Sequence, residues 1–317
     1  MPEVIVSDIG SFPKSQSLQS KSGSTGSAAG MKAVVSDIMA WKVKSGLDVP
    51  LYPQTRDMIG MFFEPIEKNR EWVVPEKEAN IAELKFVEQF AKERFEKTGE
   101  KLSLGVCITG PVEIYAAKAG YIFDEGLLLN LAKSVNSFCK NAIIKKKWCE
   151  TTLVSLDEPS LGVNPQLQYE REDIIKALET SFSGIKCMRQ IHLHAASENE
   201  LIYRTKNIDV IGVEAAESPR NLLLYDKKDL SKYDKSIRVG ISRSNVFAIE
   251  SEAKKEISAA VVNKSESVTK IRERYRAAQK QFGDRLLVVG PDCGLGGWKD
   301  QNAAYQLLLN TVKAVRG

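Results

Sequence analysis

Histidine is nearly absent from this 317-residue sequence, with His192 and His194 the only two, so any imidazole chemistry must sit at one place. Long apolar runs are missing as well: stretches such as Leu286 to Gly290 fall far short of the roughly 20 residues that cross a bilayer. The amino terminus shows no basic segment followed by an apolar one, so no secretory leader is expected. The cysteines are few, odd in number and widely spaced, at Cys107, Cys139, Cys149, Cys187 and Cys293. That pattern argues against a disulfide framework and for a reducing, cytoplasmic setting. No aromatic-basic stripe accompanies the lysine clusters at 145–147 and 254–255, which excludes nucleic acid as the expected partner, and no membrane association is expected. No glycine-rich phosphate turn follows the first strand-like run, which weighs against a doubly wound nucleotide fold.

What is present is a globular composition, 43% apolar and 27% charged with a net charge of +4, enough for a sizeable core. Short β-rich runs alternate with helical stretches, the signature of successive βαβ units. Eight runs are predicted as strands: Val4–Ile9, Asp48–Tyr52, Leu104–Thr109, Thr152–Leu156, Arg189–His194, Asp209–Glu214, Ile237–Ser242 and Leu286–Gly290. Helices are predicted over Met31–Lys44, Lys77–Lys97, Glu125–Lys147, Glu172–Phe182, Val268–Phe282 and Asn302–Val315. Eight such units close naturally into a (β/α)8 TIM barrel, read here as one domain over residues 1–317. The Ser/Gly/Lys-rich stretch Lys14–Gly30 reads as a flexible loop over the barrel mouth, or a plain insertion.

In such a barrel the reacting groups come from the carboxyl ends of different strands. Those ends are polar here: Gly10 and Ser11, Gln54, Thr109-Gly110-Pro111, Asp157-Glu158-Pro159, His192 and His194, Glu214, and Asp292-Cys293-Gly294. A spacing of two puts both histidines on one strand face. Imidazole, carboxylate and thiolate suit zinc, and three protein ligands with one open position describe a catalytic site. Pro159 stiffens the turn after the acidic pair, so Asp157 is suited to a substrate ammonium group, whereas a carboxylate there can also simply cap the next helix. Gly10 permits a tight turn beside a ligand, and the other four cysteines read as core or surface thiols, with Cys139, Cys149 and Cys187 in or near helices.

Taken in order, Ile9-Gly10-Ser11-Phe12-Pro13, Thr109-Gly110-Pro111, Asp157-Glu158-Pro159, Ile191-His192-Leu193-His194, Val213-Glu214 and Pro291-Asp292-Cys293-Gly294-Leu295 resemble the catalytic barrel of the cobalamin-independent methionine synthase family, with the short archaeal-type members most alike. The resemblance implies a (β/α)8 barrel that uses zinc to hold homocysteine as a thiolate and moves a methyl group onto its sulfur. It implies zinc ligands at His194, Glu214 and Cys293, and amino-acid contacts from Asp157, Glu158, Ser11, Gly10 and Gln54, with Asp157, His194 and Cys293 carrying the chemistry. Gln54 stands where the long members have a glutamate.

Two departures qualify this. The family has a second ligand in a His-x-Cys pair, but this chain reads His194-Ala195-Ala196, which leaves His192 or Glu217 as substitutes. The long members also carry an amino-terminal barrel that helps hold a folate donor. Its lack makes a methylated corrinoid, free or on a corrinoid protein, the expected methyl source. The rivals are transfer involving another small thiol of the coenzyme M type, and a non-catalytic barrel with a degenerate metal site.

Overall fold

The computed structural model describes residues 3–15 and 27–317. Seven parallel strands form one sheet: β1 (Ile5–Val6), β2 (Leu102–Thr109), β3 (Cys149–Asp157), β4 (Met188–Leu193), β5 (Val210–Val213), β6 (Ser236–Ser242) and β7 (Leu286–Pro291), in the order β1-β7-β6-β5-β4-β3-β2. The open edges of β1 and β2 are joined by the stretch predicted as a second strand. Val49 bridges Ser7 and Leu51 bridges Gly105, both parallel, with Tyr52 N donating to Gly105 O at 2.9 Å and Gly105 N to Pro50 O at 3.1 Å. The ring thereby closes as the (β/α)8 barrel, its eighth member reduced to two bridging residues. Closure leaves no sheet edge unpaired, which is why so brief a segment suffices.

A buried ion pair fixes this seam. Lys42 reaches in from helix α1 (Ala28–Lys44) and lies 2.6 Å from Asp8 Oδ2, also donating to Leu51 O and Gly10 O. Asp8 in turn accepts from Leu51 N at 2.7 Å and Gly10 N at 3.0 Å. Gly10 turns at φ +112°, and a Cβ there would meet Cys107 Sγ at 2.6 Å, so only glycine fits this exit from β1.

The outer helices present apolar stripes to the barrel. In α5 (Glu125–Asn141), which follows α2 (Gly60–Glu67), α3 (Leu84–Thr98) and α4 (Pro111–Lys118), the buried set is Leu128, Leu131, Ala132, Val135 and Phe138. Asp124 caps it by accepting from Leu127 N. The circuit continues through α6 (Arg171–Ser181), α7 (Asn199–Arg204), α8 (Lys227–Lys232), α9 (Val246–Ala253), α10 (Ala259–Ser265), α11 (Val268–Phe282) and α12 (Gln301–Arg316). No helix among the described residues is long and apolar enough to cross a membrane.

Three sequence expectations shift. The helix expected from Lys77 begins at Leu84, after a 3-10 turn at Glu76–Glu78, because Asn80 and Asn141 side-chain amides take the carbonyls of Lys77, Glu76 and Ala79. The helix expected to reach Lys147 stops at Asn141, since Thr151 Oγ1 captures Ala142 O at 2.8 Å and receives Ile144 N at 3.0 Å. That turn draws β3 back to Cys149, which is therefore a strand thiol and not a helical one. Of the loop expected at Lys14–Gly30, residues 16–26 lie outside the described residues and 28–30 already belong to α1.

Candidate metal centre and active site

Because all strands run parallel, their carboxyl ends share one face, and the polar residues expected there come together. His194 follows β4 directly, Glu214 follows β5 and Cys293 lies two residues past β7. His194 Nε2 is 3.4 Å from Glu214 Oε1 and 3.6 Å from Cys293 Sγ. Among the described residues one set of potential metal donors converges, and it adds His192: one atom from each of His192, His194, Glu214 and Cys293 lies within 4.8 Å of the others.

The donor set and its spacing fit zinc. With bonds of about 2.1 Å to nitrogen or oxygen and about 2.3 Å to sulfur, the edges of a tetrahedral site are about 3.4–3.6 Å long. The charge state of the group points the same way. Burial raises Glu214 to about 7, helped by nearby Asp292, and raises the Cys293 thiol to about 12. Burial also lowers His194, and lowers His192 further beside the Arg238 charge, so both rings are neutral. Neutral imidazoles next to a thiol that burial keeps protonated and a carboxyl that burial holds about half-protonated at neutral pH form a site short of a cation, which a divalent ion would supply.

Backbone-directed clamps hold these strand ends in register. Asp292 is buried, and its carboxylate accepts Ala215 N at 2.8 Å, Ala216 N at 2.9 Å and Glu217 N at 2.7 Å, locking the exit of β5 to that of β7. A Cβ on Gly240 would fall 1.9 Å from Asp292 Oδ1, so that glycine makes room for the clamp. Asn221 Nδ2 donates to both His194 O and Glu214 O at 2.9 Å, tying β4 to β5. Cys293 N donates to Ser244 Oγ at 2.9 Å. Sequence reading gave Asp292, Asn221, Ser244 and Arg238 no role. The one visible signal was Asp292 beside Cys293.

Asp157 ends β3 and is 5% exposed. Burial raises it to about 8, opposed by the Ser155 hydroxyl and the Arg238 charge. Ser11 accepts Gly296 N at 3.2 Å on its hydroxyl and Leu295 N at 2.9 Å on its carbonyl, stitching the β1 exit to the loop after Cys293. Beside it, Gln54, Arg56 and Trp298 help line a cleft of about 430 Å³. Glu83, fully buried, braces this wall by accepting Arg56 Nε at 2.9 Å, Arg56 Nη2 at 2.8 Å and Thr55 Oγ1 at 3.1 Å.

Three expected site residues stand elsewhere in the design. Glu158 is fully buried and its oxygens are taken by Val112 N at 3.0 Å and Glu113 N at 2.7 Å, so it serves the amino end of α4 and not a ligand. Gly10 shapes the backbone turn described above. Glu217 is outside the converging set, its carboxylate 4.0 Å from Arg243 Nε. A larger cleft of about 720 Å³ opens at the amino ends of β4 to β6, away from the converging donors, and two pairs of its charges meet each other, Arg189 with Asp209 and Arg204 with Glu172.

Residues 98–316 match the family described as cobalamin-independent synthase, catalytic domain. The chain belongs to that family. Among its curated relatives, the methionine synthase of Pyrococcus abyssi is 27% identical over 250 residues, covering 76% of this chain and 65% of the relative. The 5-methyltetrahydropteroyltriglutamate–homocysteine methyltransferase of Mycolicibacterium paratuberculosis is 24% identical, over 93% of this chain and 40% of the relative. The chain thus spans about 65% of the length of the Pyrococcus relative and less of the mycobacterial one. Among solved structures, a B12-independent methionine synthase from Shewanella sp. W3-18-1 in complex with selenomethionine superposes with a TM-score of 0.64 at 15% identity, covering 99% of this chain and 97% of that one. A methyltransferase from Methanosarcina mazei gives 0.58 at 13% identity, covering 99% and 94%. At such identities these two structures speak to the barrel fold alone.

Proposed function

We propose that the protein is a zinc-dependent S-methyltransferase that converts homocysteine to methionine. The observation that carries this reading is the convergence of His194, Glu214 and Cys293 at zinc-like spacing on the mouth of a barrel whose neighbouring strand ends in Asp157. When bound there, zinc would lower the substrate thiol's pKa so that it is a thiolate at neutral pH.

The chain's own residues do the rest. Asp157, at the carboxyl end of β3, accepts the substrate ammonium, whose charge favours the ionised carboxylate against burial. Ser11 takes the carboxylate end, and Gln54, which lines the same cleft, is a second contact for the amino group. In the reaction a sulfur lone pair forms the new S–C bond while the donor–methyl bond breaks, its electron pair leaving with the donor. An acid at Asp157 suits an amino-acid thiol and repels a sulfonate, which separates homocysteine from a coenzyme M type of acceptor. A methylated corrinoid is the donor in this reading. The five cysteines are all unpaired, which supports a reducing, cytoplasmic setting.

The test is purified protein with homocysteine and either methylcobalamin or 5-methyltetrahydropteroyltriglutamate, with methionine measured by mass spectrometry. Turnover with methylcobalamin that requires zinc and is abolished in Cys293→Ala supports the proposal. Turnover with the folate alone replaces the donor and keeps the thiol chemistry, whereas absence of bound zinc and of methionine in both arms overturns the reading.

A further inference from the structure

The reading above uses three of the four converging side chains. The fourth, His192, is 2% exposed, and both its ring nitrogens lack a hydrogen-bond partner among the described residues. Leaving buried polar groups unmatched costs about 1–3 kcal/mol each, so an imidazole with two such nitrogens marks a place where something binds.

The backbone around His192 is built to keep this ring in place. It pairs across the sheet with Asp157 on one side and Gly212 on the other, and Gly212 pairs with Arg238, so the four residues form one row over β3, β4, β5 and β6. Partners in such a row point to the same face of the sheet. Gly212 contributes no side chain, and a Cβ there would lie 3.5 Å from Arg238 Cδ and 3.6 Å from His192 Cα. Arg238, fully buried and anchored by Nη2 to Pro291 O at 2.5 Å, therefore fills the space toward His192. A guanidinium offers only donors, so it cannot accept a proton from the imidazole, and neither its Nε nor its Nη1 has a partner among the described residues, so no hydrogen bond engages the ring's lone pair.

We propose that His192 is a fourth protein ligand of the metal, taking the coordination position that the family fills with cysteine and this chain leaves to Ala196. The inference rests on the zinc reading of the preceding section. Among the described residues no other side chain is placed for the role: Glu217 lies outside the set, and the Asp292 carboxylate is occupied by three backbone N–H groups. His192 reaches the site from the closed, inner side, whereas the side chains of His194 and Glu214 are 36% and 18% exposed, so a substrate thiol would approach from the mouth side, adding a fifth ligand or displacing one of the four. Exchanging a thiolate for a neutral imidazole also removes one negative charge from the donor set, leaving Glu214 and Cys293 as its anions.

Cobalt(II) titration of the metal-free protein and zinc-edge X-ray absorption of the zinc-loaded protein test this without an activity assay. The expected absorption signature is two imidazole nitrogens, one oxygen and one sulfur. His192→Ala and His192→Gln should weaken cobalt binding by at least about a hundredfold, since even outer-sphere changes cost 10–100-fold. Adding Ala196→Cys to His192→Ala should restore binding and strengthen the near-ultraviolet thiolate-to-cobalt band. A single imidazole in the wild-type spectrum, or both His192 variants binding cobalt like the wild type, overturns the inference while loss of binding in Cys293→Ala leaves the zinc reading standing. Wild-type protein that binds neither metal overturns both.

Discussion

At the scale of single residues, the donors of the metal group and the residues that place them were unequally visible in the sequence. His194, Glu214 and Cys293 could be singled out because their side-chain chemistry is rare or reactive and each follows a predicted strand. Asp292 and Asn221 act through backbone N–H and C=O groups far away in sequence, and no residue type announces such a contact. Asp292→Ala removes the acceptor of three buried N–H groups and should destabilise the protein by at least about 3 kcal/mol in urea unfolding. Metal affinity should fall with it, because Glu214 loses its register against Cys293. The pH dependence is also a residue property. Burial raises Glu214 from 4.5 to about 7 and Asp157 from 3.8 to about 8. Between those limits the folded chain binds more protons than the unfolded one, so their contribution to stability is fully present below about pH 4 and is lost as pH rises through about 8. Chelator-treated protein is therefore expected to melt at a lower temperature near pH 8 than near pH 5.5, and a flat or rising profile would contradict the burial argument. Zinc should reverse the trend, because its ligands bind deprotonated.

Among the elements, the strands were legible and the helix ends less so. Strands buried on both faces read as short β-branched and aliphatic runs whatever surrounds them, as in Val210–Val213 and Leu286–Pro291. Helix limits depended on side chains arriving from elsewhere, such as Asn141 on the carbonyls of Glu76 and Ala79 and Thr151 on that of Ala142. The same holds for Glu158, whose place in an acidic pair after a strand resembled a substrate contact until its two oxygens were seen to meet α4. Glu158→Gln keeps the shape but turns one of the two acceptor oxygens at that helix terminus into a donor. It should cost about 1–2 kcal/mol in urea unfolding. It should leave cobalt affinity unchanged, and a large drop in that affinity would return Glu158 to the site.

For the whole molecule, the alternation of strands and helices was enough to predict a closed barrel, but not how it closes. The Asp48–Tyr52 run contributes only two bridging residues, and the seam is held by the Asp8–Lys42 pair, which joins a strand end to a helix in a contact no local pattern encodes. Lys42→Met would strand a buried carboxylate and should cost about 3–5 kcal/mol. Hydrogen exchange would place the damage: the Leu51 and Tyr52 amides should lose protection well before those of β3. A last consequence follows from the Asp292 and Asn221 clamps. Because they grip main-chain atoms, the side chain at 217 is no part of the grip, whereas Ala215 and Ala216 are buried and must stay small to fit. Such a frame tolerates mutational drift at the rim of its reactive heart, so random replacement of Glu217 should yield many folded, cobalt-binding proteins, whereas large side chains at 215 or 216 should not.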